Sequence, residues 1–316
     1  MRVSILPVLL LSLAASAADP MSVVDDGSSL TLKQGAAEVL SFRHAPMPPP
    51  EGQSPLFTRS GFIHPLRTPS GQVLTTIHPS DHIHHLGIWN PWTATKFDDR
   101  KIDYWNLKDG QGTVRFVKFE DVKKGPEEAG FTALMDFVDL KAPGGELVTL
   151  HERQTVSTAP VPAGLPAGFL TRFSSEQWCA TDKPFTISTY RYGGFGFRAR
   201  TDWNKDNSDY LTDAGKTRAD GNSSKARWCR IQGTVDGKTC GVLFLAHPDN
   251  FNYPEPIRIW PAKDHNGMVF FNFAPAQNRD WVLEPGKTHT RRYGIFAYDG
   301  EITAEQAEAV WKAFVR

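Results

Sequence analysis

The chain has 316 residues, carries 35 basic and 35 acidic side chains, and is 11% aromatic. Charge this evenly balanced gives no net pull toward nucleic acid or an anionic bilayer, so neither is expected as a partner. The length suits one large domain or two smaller ones, and nine Trp with twenty Phe suit either a sandwich core or an aromatic cleft that stacks on sugars.

The first segment reads as an export signal. Arg2 is the only charge ahead of an apolar run from Val3 to Ala14, and Ala15-Ser16-Ala17 supplies the small residues a signal peptidase reads. That run is too short to span a bilayer, and no later run is long enough. The expectation is a signal peptide over residues 1–17, a single domain over 18–316, and a periplasmic or secreted protein with no membrane segment after cleavage.

Short alternating segments broken by Gly, Pro, Asn and Asp follow, the pattern of antiparallel strands and hairpins. In chain order they are Ser29–Lys33, Thr113–Phe119, Phe131–Leu140, Leu147–Val156, Phe169–Trp178, Thr186–Tyr190, Arg227–Val235, Thr239–Ala246, Met268–Phe273 and His289–Tyr298. Asp236-Gly237 reads as a two-residue hairpin turn that sets Cys240 opposite Gly233. Cys229 then lies about 13 Å from Cys240 along the strands, beyond disulfide reach, so any bridge would have to include Cys179, and otherwise all three cysteines are expected as buried thiols. Thr303 and Gln306 make a capping box, and Ala307, Val310, Trp311 and Phe314 form one apolar stripe, so a C-terminal helix should pack on the body. His44–Ser60, Pro79–Asp109 and Arg200–Lys225 read as long loops, which in a β-protein are more often functional than idle. The fold class expected is all-β: a large two-sheet antiparallel sandwich, of the supersandwich or jelly-roll kind, with long loops at one end and one C-terminal helix.

The densest polar cluster is His78-Pro79-Ser80-Asp81-His82-Ile83-His84-His85-Leu86-Gly87-Ile88-Trp89. On an extended segment His82 and His84 point the same way and His85 the other, and same-side histidines two apart commonly offer two imidazoles to one metal. His82 and His84 are therefore the candidate ligands of one divalent ion, though the same side chains equally suit direct hydrogen bonds to a sugar with no cofactor. His64-Pro65 and His247-Pro248-Asp249-Asn250 each follow a strand-like segment, so His64, His247 and Asn250 should stand where strands hand over to loops. Arg191 and Arg198 flank Tyr192-Gly193-Gly194-Phe195-Gly196-Phe197, and guanidinium forks suit carboxylate or vicinal hydroxyl oxygens. The same glycines equally suit a bulged, tightly packed strand. Glu152 and Glu176 lie in apolar strands, where burial tunes a carboxyl toward neutral pH or a neighbouring arginine pairs with it.

These residue types assign His84, His85, Glu152, Glu176 and His247 to catalysis, and His64, Asp81, Trp89, Arg191, Arg198 and Asn250 to substrate. There is no Gly-x-Ser-x-Gly elbow, phosphate-binding Gly-Lys loop, dinucleotide fingerprint or His-Glu-x-x-His, which disfavours serine hydrolase, NTPase, Rossmann oxidoreductase and standard zinc protease chemistry.

Taken in order, several motifs resemble a family of exported bacterial proteins labelled the methane oxygenase PmoA family. They are Ile63-His64-Pro65-Leu66, Pro79 through Trp89, Tyr192 through Arg198, Arg227-Trp228, His247-Pro248-Asp249-Asn250-Phe251, Leu283-Glu284-Pro285-Gly286-Lys287 and Tyr298-Asp299-Gly300. The family usually has an arginine after the double histidine, where this chain has Leu86. The resemblance implies a large β-sandwich found alongside sugar-directed oxidoreductases and polysaccharide-processing proteins. Together these readings point to an exported carbohydrate-active enzyme, a glycoside hydrolase or lyase, that cleaves a glycosidic bond by hydrolysis or elimination, with a keto-sugar as one form of substrate. A second reading is a non-catalytic carbohydrate-binding sandwich whose Trp89, Trp92, Trp105, Trp203 and Trp260 stack on sugar rings. A third is a mutarotase-like or epimerase-like enzyme that uses one histidine and one carboxylate.

Overall fold

A computed structural model describes residues 19–316, so the export signal expected over residues 1–17 lies outside the described residues. Two large antiparallel sheets face each other. One has eight strands, in the order Ser208–Thr212, Trp228–Val235, Lys238–Ala246, His289–Asp299, Phe169–Cys179, Leu147–Ala159, Ala129–Asp139 and Gly112–Lys124. The other has nine, in the order Met21–Asp25, Ser29–Gln34, Ala37–Arg43, Phe62–Leu66, Ile88–Trp89, Gly196–Arg198, Phe270–Phe273, Glu255–Ile259 and Lys225–Ala226. The expected antiparallel sandwich is the fold. A four-stranded sheet adds Trp281–Leu283, Phe185–Ile187, Thr95–Phe97 and Arg100–Ile102, so the stretch read as a loop from Pro79 to Asp109 contains short strands.

Strand alternation decides what each face carries. In the nine-stranded sheet, cross-strand pairing lines up Ile259, Phe271, Phe197, Ile88, Ile63 and Phe42 in one row. All six belong to the main core between the sheets. The adjacent row, Arg258, Asn272, Gly196 and Trp89, must then face outward. On the eight-stranded sheet the outward row includes Leu243, Phe296 and Leu170. These are covered by Ala307, Val310 and Phe314 of the helix Ala304–Phe314, whose capping box at Thr303 and Gln306 is formed as its sequence predicts.

The hairpin at Asp236-Gly237 forms, with both residues at positive φ and Cys240 opposite Gly233. Cys179, Cys229 and Cys240 are free and buried.

The inner face of the eight-stranded sheet also holds a polar seam. Glu152 faces inward, fully buried, and accepts hydrogen bonds from Ser175 Oγ (2.5 Å), Gln154 Nε2 (2.9 Å) and Asn90 Nδ2. Burial raises its pKa, against these donors and the nearby Arg291. Glu255 enters the interior from the nine-stranded sheet, held by Asn250 Nδ2 (2.7 Å) and the Tyr293 hydroxyl (3.0 Å). Burial pushes its carboxyl up to about 7. A carboxyl whose pKa rises on folding stabilises the fold fully below its unfolded value of 4.5 and loses that contribution as pH climbs through 7. Across that window wild-type stability should fall by about 1.4 kcal/mol per pH unit from this group. Denaturation midpoints measured from pH 5 to pH 8 should flatten in Glu255→Gln; an unchanged slope would assign the pH dependence elsewhere.

Candidate functional site

A cavity of about 150 Å³ lies on the outward face of the nine-stranded sheet, not at the end of the sandwich. Its floor is Phe270, with Trp89 buried beneath, and its walls are His82, His84, His85, Trp105, Asn106, Arg191, Tyr192, Arg258, Trp260 and His265. Four loops and the strand Glu255–Ile259 supply these walls.

The first loop, Ile77–Leu86, closes through a bridge between its end residues and through His78, whose Nδ1 meets the Ile83 carbonyl at 2.6 Å. Between them His82 N–H donates to Pro79 O (3.0 Å) and His85 N–H to His82 O (2.9 Å), two successive turns. The segment is therefore not extended, and the expected same-side pairing of His82 with His84, and opposition of His85, does not occur. Instead the three rings converge: His82 stacks on His85 at 4.7 Å, and His84 stands edge-on to His85 at 4.7 Å.

Arg198 anchors this loop from below. It rises from the sheet beside Phe270 with only 1% of its surface exposed. Its Nη2 donates to both oxygens of Asp81, each at 2.9 Å, and its guanidinium lies 4.7 Å from the Trp260 ring centre. Asp81 Oδ2 also meets His82 Nδ1 at 2.9 Å. Arg198 and His82 together hold the Asp81 carboxyl well below its usual range. A carboxylate only accepts, so His82 carries its proton on Nδ1 and keeps Nε2 as the free nitrogen.

The second loop fixes Trp105 and Asn106. Asp103 Oδ1 accepts their backbone N–H groups at 2.8 and 2.9 Å, and Asn106 Oδ1 receives the Tyr192 hydroxyl at 3.0 Å. Trp105 lies directly over Gly196, where a Cβ would come within 2.7 Å of its indole. The third loop brings His265, in a left-handed run of φ 49°, 56° and 69° over His265-Asn266-Gly267. The His265 ring sits 4.0 Å from Trp260 and 4.7 Å from His82.

Electrostatically the imidazoles divide. Burial depresses His84 to about 3, drives His85 well below its ordinary value, and lowers His265. Those three are neutral at physiological pH, and His82 is the ring with a carboxylate partner. For a cation, the donor atoms of Asp81, His82 and His265 lie within 4.8 Å of one another, the one such trio among the described residues. His84, expected as a ligand, is outside it, and an ion there would share Asp81 with the Arg198 guanidinium.

Of the residues assigned from sequence, His82, His84, His85, Asp81, Arg191 and Arg198 gather here, with Trp89 as the buried underlayer. The others do not. Glu152 lies inside the sandwich, across the sheet from the pocket. Glu176 pairs in register with Arg153, opposite in parity to Glu152, and forms an ion pair with it on the outer face of the other sheet (3.1 Å). His247 follows its strand as expected, but beside Asp249 and the C-terminal helix residue Phe314. Asn250 is buried, bonding Glu255 and the Arg292 backbone. His64 lies within a strand rather than at its end, bonded to Thr75 at 2.9 Å, its pKa lowered by burial to about 4.

Sequence reasoning did not single out His265, Tyr192, Arg258, Asn106 or Phe270 as site residues. The pair Asn266-Gly267 is a turn signal that could have pointed to His265 beside it, but no spacing links that turn to His82.

The chain belongs to DUF6807, a family of unknown function whose model matches residues 29–312. This corrects the resemblance to the methane oxygenase PmoA family. No helix among the described residues is long and apolar enough to cross a membrane. No curated protein matches the chain. Among solved structures, heparan sulfate lyase HepC from Pedobacter heparinus aligns at 9% identity and a TM-score of 0.37, over 87% of this chain and 34% of that one. A polysaccharide lyase aligns at 10% identity and 0.34, over 91% and 34%. A galactose mutarotase related enzyme from Lactobacillus acidophilus aligns at 8% and 0.35, over 89% and 100%. The chain spans about a third of the length of the two lyases. Overlap this low bears on neither topology nor chemistry.

Gly196→Ala should force Trp105 off the sheet, costing about 1–3 kcal/mol. Denaturant titration with tryptophan fluorescence checks this, and an unshifted midpoint and spectrum would mean Trp105 is not seated there.

Proposed function

We propose that this chain is an exported carbohydrate-active enzyme that cleaves a glycosidic bond at the histidine pocket. The observation that carries the reading is the convergence of His82, His84, His85 and His265 in one cavity walled by Trp105, Tyr192 and Trp260. Indole and phenol faces suit the apolar face of a sugar ring, and the imidazoles supply both donors and acceptors for its hydroxyls. Export rests on the leader segment alone.

His82 is the proposed base. Asp81 fixes its tautomer and Arg198 fixes Asp81, so Nε2 is the nitrogen free to take a proton, an arrangement of base and orienting carboxylate common in acid–base catalysis. In the elimination version the substrate carries a ketone. Nε2 removes the proton next to the carbonyl, that electron pair forms the new double bond, and the glycosidic C–O bond breaks with the leaving oxygen taking up a proton. A neutral imidazole donating to the carbonyl oxygen would stabilise the developing charge. Glu152 and Glu176, sealed in the interior and on the far sheet, take no part.

The non-catalytic reading, in which five tryptophans stack on sugar rings, loses three of them: Trp89, Trp92 and Trp203 are buried and do not line the cavity.

Release of sugar from glycosides and their keto forms is the test. His82→Ala should lose at least about 100-fold in turnover, while Glu176→Gln and His247→Ala stay within about twofold of wild type. Binding without turnover on every substrate would overturn the enzyme reading. Loss of activity with a chelator, restored by a divalent ion, would assign Asp81, His82 and His265 to a metal instead.

A further inference from the structure

The cavity is bordered by three guanidinium groups, and they are not equivalent. Arg198 is buried and neutralised by Asp81. Arg191 and Arg258 line the same cavity, yet neither has a carboxylate oxygen within 4.0 Å or a side-chain hydrogen bond among the described residues. They are brought together across one aromatic ring, the Arg191 guanidinium 5.6 Å and the Arg258 guanidinium 5.7 Å from the centre of Tyr192. Arg258 is only partly exposed and stands in the outward row beside Asn272. A desolvated cation next to a second cation is a costly arrangement that a folded chain ordinarily relieves with an acidic neighbour.

The acidic groups nearby do not provide that relief. The Asp81 charge is taken by Arg198 and His82. Asp103 spends its oxygens on the backbone and side chain of its own turn, at Trp105 and Asn106. Asp264 acts on Arg258 from a distance, without contact. Arg191 and Arg258 therefore give the mouth of the cavity positive charge that faces the space a ligand fills.

We infer that the saccharide recognised here is acidic, with a ring carboxylate or sulfate seated between Arg191 and Arg258 while Trp105, Tyr192 and Trp260 pack its ring. The inference rests on the carbohydrate reading of the pocket and narrows it. Guanidinium forks match the planar pair of carboxylate oxygens, and two of them around one anion also discriminate against a neutral hydroxymethyl group at the same ring position.

Calorimetric titration of the purified chain with a short oligogalacturonide, and with the same oligosaccharide fully methyl-esterified, isolates the charge while keeping the rings. The free acid should bind at least about tenfold more tightly, and added salt should narrow the gap. Arg258→Gln should bring the two ligands to within about threefold of each other. Arg191→Gln, at an exposed position, should act in the same direction without bearing on folding, whereas Arg153→Gln on the far sheet should leave the preference intact. Tight binding of a sulfated oligosaccharide, lost in the same variants, supports the inference and makes sulfate the anionic group. Ester and acid binding equally, or a preference surviving in the Arg191→Gln Arg258→Gln double variant, overturns it. Turnover of neutral sugars independent of both arginines would overturn the acidic specificity and leave the glycosidase reading standing. No binding of any saccharide would overturn both.

Discussion

A guanidinium rising from the outward face of a sheet, almost wholly removed from water, has to be answered by negative charge or the fold pays several kcal/mol for it. Arg198 is that group, and Asp81 is the answer. Much of the pocket geometry follows from this pair. Binding Asp81 pulls the loop from Ile77 to Leu86 down onto the sheet. Asp81 in turn sets the His82 ring through Nδ1, and Arg198 Nη1 lies 3.4 Å from His85 Nδ1. Trp260 covers the guanidinium, and His265 packs on Trp260. A site made from distant stretches of chain thus shares one electrostatic origin.

The distribution of carboxylates is equally telling. Glu152 and Glu255 are inside the sandwich, where burial raises their pKa values and a ring of amides and hydroxyls holds them. Perturbed carboxyls are often taken as signs of catalysis. Here they belong to the interior seam around Arg291, and the pocket is lined instead by imidazoles.

Much of the architecture was legible in the sequence because it depends on local rules. Asp236-Gly237 can make only a few kinds of turn, so the register of its hairpin and the fate of Cys229 and Cys240 followed. Thr303 and Gln306 announced the helix. The histidine cluster was visible as a cluster, but the direction of its side chains was not: two successive turns replaced the period-of-two geometry of a strand. Glu176 took the arginine-paired alternative of its reading: it is one step out of phase with its buried neighbours Ser175 and Gln177, and so meets Arg153 on the outer face. His265 could not be linked to His82 because their meeting depends on Trp260 and Arg198, residues far apart in the chain.

The inner row from Ile259 to Phe42 and the outer row of Arg258, Asn272, Gly196 and Trp89 are carried by the same strands, one residue out of step. Positions that build the core and positions on the pocket side thereby alternate along a single sheet. Of the outward set Arg258 alone lines the cavity, while Asn272 bonds the backbone of Gly193 and Phe195 and Gly196 leaves room for Trp105. A change of side chain at Arg258 thus alters the cavity wall while residues one step away along the same strand go on specifying the sheet.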